Sequence, residues 1–451
     1  MVRIGPMARP LASPLERPLA SSELPLTRRD LLTVLGATAV GSGLPTTSWA
    51  QGRTAVALTA KLDRIALRPG GPETPVTALA GSDLRFKRGE TLDVTFANEL
   101  KLPAALDCRG LDGVPAAEPL ISRAPIATGA KDSFQLPLRH AGTFLCEATL
   151  DGDATPARPR ALVVTSASPV AVDRDEVLLI EEWHLRADGM AVPAGTDPKD
   201  TSLIHTVNGK TSLDISAPAN ARLRLRFING SPRSVLAVKL ENVEVRVMAI
   251  DGQPAEPFAA RNGALVLAPG NRTDVFIDAT GPAGTSFPIL IHDGKQAKPV
   301  GRLVVSNDPT IRSAPFPPAP PLPGNDLPAQ IDLKAALRFD LTLGTEADWA
   351  RASDFKPSAA PAFQAKAGRP VVLALTNRNA LATVFHLHGH HFRLLDRLDD
   401  GWKPFWLDTL ALEPGQTQRI AFLAEYPGRY LIEQVATDWA APRLLRWYSV
   451  Q

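Results

Sequence analysis

Alternation of apolar and polar residues dominates the chain beyond residue 50. Stretches 91–98, 222–228, 243–250 and 371–376 read as strands, and most of them place an apolar side chain at every second position. That is the period of a β-strand with one face in a core. Gly, Pro and Asn interrupt such runs every 8–12 residues or so, the punctuation of Greek-key sandwiches. A loose repeat overlies the pattern. Phe96-Ala97-Asn98, Phe227-Ile228-Asn229 and Leu375-Thr376-Asn377 each close a strand. Three copies at intervals of roughly 130–150 residues predict three sandwiches of ordinary domain size.

Composition places the boundaries. Residues 51–170 form a first domain, ending just after the strand 161–164, and residues 171–306 a second, which opens at 177–183 and closes at 302–305. Residues 307–330 contain the run TIRSAPFPPAPPLPGNDL, too rich in proline for sheet and suited to a semi-rigid linker over the surface. Residues 331–451 make the third domain. Residues 1–50 read as a cleaved export signal: Arg28-Arg29 precede a modest apolar run to Val40, and Ser48-Trp49-Ala50 offers a small-x-small cleavage site. Paired arginines in that setting resemble the twin-arginine signal, which exports folded proteins to the periplasm.

With 451 residues, 44% of them hydrophobic, the chain is large enough for two or three real cores. The leader carries five basic and three acidic residues, leaving 44 of each sign in the remainder. That balance argues against nucleic acid or an acidic membrane surface as partner. No later segment is long and apolar enough to span a bilayer.

Candidate chemistry begins at the run His386-Leu387-His388-Gly389-His390-His391. On a strand, His386, His388 and His390 would share one face, and ranked imidazoles suit copper or zinc. With Trp406-Leu407-Asp408-Thr409, Glu413-Pro414-Gly415 and the turn from Ala268 to Asp274, this run resembles the multicopper oxidase family, laccase-like proteins of three cupredoxin domains. The resemblance extends over everything after residue 50. It implies an all-β chain of three consecutive cupredoxin-like Greek-key β-sandwich domains.

The resemblance also says where copper ligands should stand. The blue-copper positions carry Thr383, Gln434, Trp439 and Leu444, which supply neither thiolate nor imidazole. For the trinuclear site, the last domain's HCH pair has become Glu433 and Val435. The first domain's HWHG has become Asp107-Cys108-Arg109-Gly110, and its HSH has become Glu147-Ala148-Thr149. Of the expected histidines only His386 and His388 remain. The resemblance is therefore closest in kind to copper-free, cell-division members of the family. It implies a monomeric scaffold or binding protein of the cell envelope, acting through protein partners in division or stress, with no catalytic residue and no cofactor. The alternative is a copper-dependent oxidoreductase with a single residual copper on His386 and His388, Asp107 and Glu433 adding oxygen ligands.

The family frame converges Asp107, Arg109, Glu147, Glu433 and His388 on one cavity. Buried charges there must pair, so Arg109 is expected to bridge Glu147 and Glu433, with Asp107 nearby. Such a patch either forms a remodelled polar site or simply staples two domains. Cys108 and Cys146 would point away from that face on neighbouring strands, either as a disulfide or as two buried thiols. His140, His184, His205 and His292 are expected to be isolated structural or surface residues. The Pro-Gly turns are read as scaffold, with Asp408 and Asp274 accepting backbone N–H groups.

Overall fold

The computed structural model of the chain describes residues 52–150, 155–292, 296–344, 348–396, 401 and 403–451. The export signal assigned to residues 1–50 lies outside the described residues. Apart from short 3₁₀ turns such as Pro115–Ala117, the elements are strands. They form three sandwiches in chain order, each with its own apolar core.

The first sandwich packs a five-stranded sheet holding Arg53–Ala66 and Thr91–Asn98 against a four-stranded sheet holding Ala104–Arg109, Gly142–Leu150 and Arg160–Thr165. The second repeats the arrangement with sheets of seven and five strands, and the third with sheets of four and six. In all three the opening strand runs parallel to the strand that ends in the repeated asparagine: Arg53–Ala66 beside Thr91–Asn98, Arg174–Leu185 beside Arg222–Asn229, and Leu337–Leu343 beside Arg369–Asn377.

Those asparagines show why the repeat exists. Asn98 donates to the carbonyls of Leu102 and Ile126 and accepts from Leu100 N–H. Asn229 and Asn377 make the same three bonds with their own neighbours. Each side chain is buried and satisfies backbone groups where a strand turns away from its sheet, which only a planar amide of this length does in one stroke.

One feature differs from the sequence pattern. The strand Arg222–Asn229 reads as half-polar, yet every residue of it is buried. Its arginines are paired across to the flanking strands of the same sheet: Arg222 with Asp278, Arg224 with Asp274, and Arg226 with Asp175 and Asp274. Asp274 accepts from two guanidiniums and the Thr143 hydroxyl rather than from backbone. The proline-rich segment after Val305 carries no strand and runs mostly exposed, and it is fastened at points along its length. Arg312 bonds Asp173 and stacks 3.7 Å from the Phe316 ring, and buried Asn325 bonds Ala141 and Gln253.

Candidate functional site

The register between Ala104–Arg109 and Gly142–Leu150 sets the first wall of the site. Asp107 stands opposite Glu147, and Cys108 opposite Cys146. Period two therefore sends Asp107, Arg109 and Glu147 to one side and both sulfurs to the other, against the core of the first sandwich. Cys108 and Cys146 form a disulfide, with Cα atoms 4.2 Å apart. The opposite wall comes from the third sandwich, where Glu433 lies across from His386.

Between these walls sits an ionic cluster. Arg109 Nη2 is 2.9 Å from Glu433 Oε2 and 3.3 Å from Glu147 Oε1, and its Nε is 3.7 Å from Asp107 Oδ2. Arg443 donates to Glu433 and stands 3.4 Å from Asp107. His388 Nε2 is 3.1 Å from Glu433 and its Nδ1 is 2.8 Å from Glu118. Burial alone would raise the Glu433 carboxyl, but Arg109, Arg443 and His388 hold it well below the usual carboxylate range. Burial would likewise lower His388, but Glu118 and Glu433 push it up to about 10. His388 is thus an imidazolium at neutral pH, with both nitrogens donating.

His386 differs. Thr409 Oγ1 donates to Asp408 at 2.7 Å, so its oxygen accepts from His386 Nδ1 at 2.8 Å. That fixes the tautomer and leaves Nε2 as a bare lone pair with no partner, although the residue is buried. Burial drives its pKa down to about 4, so the ring is neutral. Asp107 Oδ1, Arg109 Nε and Arg443 Nε are likewise buried without a partner. Beside them opens a cavity of about 850 Å³ at the junction of the three sandwiches, lined by Arg109, Glu147, Arg233, His386, Glu433 and Arg443 among others.

A second buried cluster lies nearby. His391 Nδ1 is 2.8 Å from Asp112 and its Nε2 is 2.7 Å from Asp251 O. Burial would lower His391, but Asp112 pushes it up to about 9, and burial would raise Asp112, but His391 holds it well down. Gln253 donates to His140 Nδ1 at 3.1 Å while its own oxygen accepts from Asn325. Arg272 forks onto Asp408 and also donates to the carbonyls of Gly270, Asp251 and Thr143. Gly110 is the residue that permits this: its φ is +89° and a Cβ would collide with the Arg272 guanidinium.

The structure brings Asp107, Arg109, Glu147, Glu433 and His388 together, and it corrects three expectations. The strand bearing His386 ends at Leu387, and Gly389 turns the chain at φ +74°. His390 therefore leaves the face of His386 and His388 for an aromatic nest, where its Nδ1 meets Tyr448 Oη at 2.7 Å and its Nε2 accepts from Tyr426 N–H. His140, His184 and His205 are not isolated: the first joins the Asp112 cluster, and the other two flank buried Glu182 at 3.1 and 3.7 Å. Asp408 is no mere turn residue, since it anchors Arg272 and orients His386. Sequence reasoning missed Arg443, Arg233, Glu118 and Asp112. Arg443 lies one strand over from Glu433, in a loop-to-strand position that no period marks, but Asp112 and Glu118 follow Arg109 closely enough to have been asked about.

Comparison with known proteins adds an independent line. One multicopper oxidase family model matches residues 174–305 and another matches residues 330–441. Multicopper oxidase MmcO of Mycobacterium tuberculosis is 23% identical, across 84% of this chain and 84% of its own length. Laccase-1 of Cryptococcus neoformans var. grubii is 23% identical across 46% of this chain and 38% of its own. Among solved structures, a multi-copper oxidase from Pseudomonas thermotolerans is similar with a TM-score of 0.77 at 23% identity, covering 89% of this chain and 100% of that one. McoA multicopper oxidase from Aquifex aeolicus gives 0.73 at 16%, covering 88% and 96%. At such identities the likeness of structure speaks for the fold.

Proposed function

The chain belongs to the multicopper oxidase family, whose models match more than half of it, and from that premise we propose that it is a non-catalytic member: a periplasmic scaffold or binding protein of the cell envelope, exported through its twin-arginine leader, in which arginines replace the coppers. One observation carries this reading. Arg109 and Arg443 stand on Glu433 and Asp107, and both nitrogens of His388 are committed to Glu433 and Glu118. The only His–carboxylate group on this wall that converges closely enough for a metal is Asp107, His388 and Glu433, among the described residues. A cation there would meet two guanidiniums and an imidazolium, and like charges at such distances in a buried site repel strongly. These residues do not fit a copper cluster.

At the mononuclear position by family resemblance, Gln434 accepts from Gly344 N–H at 2.7 Å and Trp439 donates to Pro193 O at 3.1 Å. Both side chains are engaged in joining parts of the fold, and neither offers a thiolate or an imidazole. A second reading, a single residual copper, has one observation behind it: the bare Nε2 of His386. One imidazole is too few donors for a tight site.

The test is oxygen consumption by the mature protein after copper loading, with ferrous ion, cuprous ion and a phenol as electron donors. The proposal expects no uptake above the protein-free rate. Turnover with any donor, abolished by His386→Ala, would overturn it in favour of the oxidoreductase.

A further inference from the structure

We propose that the cavity at the junction of the three sandwiches receives an uncharged, ring-bearing apolar molecule, gripped by proline faces rather than by ions. The inference deepens the reading just given and rests on it, since a chamber held by arginines instead of metal binds its guest without oxidising it.

Three observations converge. The first is the wall. Pro103, Pro125, Pro193, Pro232 and Pro442 line the cavity, and each of them keeps accessible surface. Their rings offer flat hydrocarbon faces with no N–H to donate. They also have next to no rotamer freedom to lose when a guest arrives, so the wall is set before binding. Leu120 and Val435, which are only half-buried, extend the same apolar surface. All three sandwiches contribute to it, so their docking creates the chamber.

The second is the charge. Glu147 is paired with Arg109 at 3.3 Å, Glu433 lies between Arg109 and Arg443, and Glu181 holds Arg158 at 2.7 Å. Glu182 takes His184 and the hydroxyls of Ser231 and Ser234. Arg233 is clamped onto the carbonyls of Ala441 and Pro232 at 3.0 and 2.8 Å, and Glu147 and Asp438 act on it as counter-charges. An ionic guest would give up its hydration and find these groups engaged with one another, a cost that an uncharged guest escapes.

The third is size. At about 850 Å³ the space lies within the range of small-molecule sites. Water against apolar walls is poorly held, and an apolar guest that displaces it gains affinity. Exposed Pro103, Pro125 and Thr196 among the lining residues mark where the chamber meets solvent.

The experiment titrates the purified full chain with two fluorescent probes of one skeleton: phenylnaphthylamine, which is uncharged, and anilinonaphthalene sulfonate, which adds a sulfonate to it. The uncharged probe is expected to bind ~10-fold or more tightly. Ala157→Trp and Ala194→Trp each add bulk to the wall and should each weaken the uncharged probe by ~10-fold or more. Equal or tighter binding of the sulfonate, no saturable binding of the uncharged probe, or full affinity in both variants would overturn the proposal. The comparison of the two probes on the unaltered chain stands even if a variant fails to fold. Copper content is measured on the same preparation. Stoichiometric copper would overturn the reading underneath, whereas a metal-free protein that does not prefer the uncharged probe overturns this inference alone.

Discussion

Two buried clusters of histidine and carboxylate lie side by side in this protein, and they end differently. Around Asp112, His140 and His391, each polar atom named above has found a partner: His391 donates twice, Gln253 fills the lone pair of His140, and Asn325 fixes the amide of Gln253. Around Asp107, His388 and Glu433 the charges are paired just as thoroughly, yet Asp107 Oδ1, Arg109 Nε, Arg443 Nε and His386 Nε2 remain without partners. Composition does not separate the two, since both are groups that could gather round a metal. What separates them is the cavity. The closed cluster has been solved by the protein alone, whereas the other keeps buried hydrogen-bonding capacity that no neighbour satisfies.

The largest test of this contrast is Glu433→Gln. It removes the anion shared by Arg109, Arg443 and His388, and breaking such a buried pair costs roughly 3–5 kcal/mol. A loss below about 1 kcal/mol in urea unfolding would mean the guanidiniums hold each other apart without it. Replacing Cys108 and Cys146 by serine and alanine tests how far the disulfide behind Asp107 and Glu147 braces the open cluster. Closing a 38-residue separation, it should be worth roughly 2–4 kcal/mol by the same unfolding experiment. In the closed cluster, Gln253→Met strands His140 and Asn325 and should cost roughly 1–3 kcal/mol.

Titration of stability gives a subtler separation. His388 and His391 are raised to about 10 and about 9 from an ordinary 6.5. Their contribution is complete below pH 6.5 and is lost as pH rises through 9–10. His386 and His390 are depressed to about 4. Theirs is complete above 6.5 and is lost as pH falls toward 4. Unfolding midpoints should therefore decline on both flanks. Glu433→Gln should soften the alkaline flank and, on the acid side, remove the loss below pH 4.5 that the depressed Glu433 carboxyl contributes, leaving the decline between 6.5 and 4.5 in place. An alkaline flank identical in the variant would show that Glu118 alone holds the proton on His388. The smallest effect belongs to His386→Asn, which keeps a group for Thr409 and deletes Nε2. Stability should change by less than about 1 kcal/mol, because the lost atom has no partner. A larger loss would place an unsuspected contact there.

Much of this was legible in the chain. Period two gave the strands and the side to which Asp107, Arg109 and the cysteines point, and the asparagine triplet gave the threefold repeat. Alternation failed where its assumption failed. It took polar positions to mean solvent, but Arg222, Arg224 and Arg226 are buried, paired with Asp278, Asp274 and Asp175 on the flanking strands of their own sheet. It carried the histidine row past Gly389, where a positive φ ends the strand. Long-range partners are the remaining gap. Nothing local tells Arg443 that it will meet Asp107, or Arg272 that it will meet Asp408, because those meetings are set by how three sandwiches dock rather than by any one of them.

If Arg109 and Arg443 exclude metal from the site of Asp107, His388 and Glu433, copper content decides it. The full chain should be expressed in copper-supplemented cells, purified, and its copper, zinc and iron measured per chain by mass spectrometry. The account predicts far less than one equivalent of any of them. Stoichiometric copper surviving dialysis would contradict it, and would mean that Arg109 and Arg443 swing aside for an ion that this arrangement should repel.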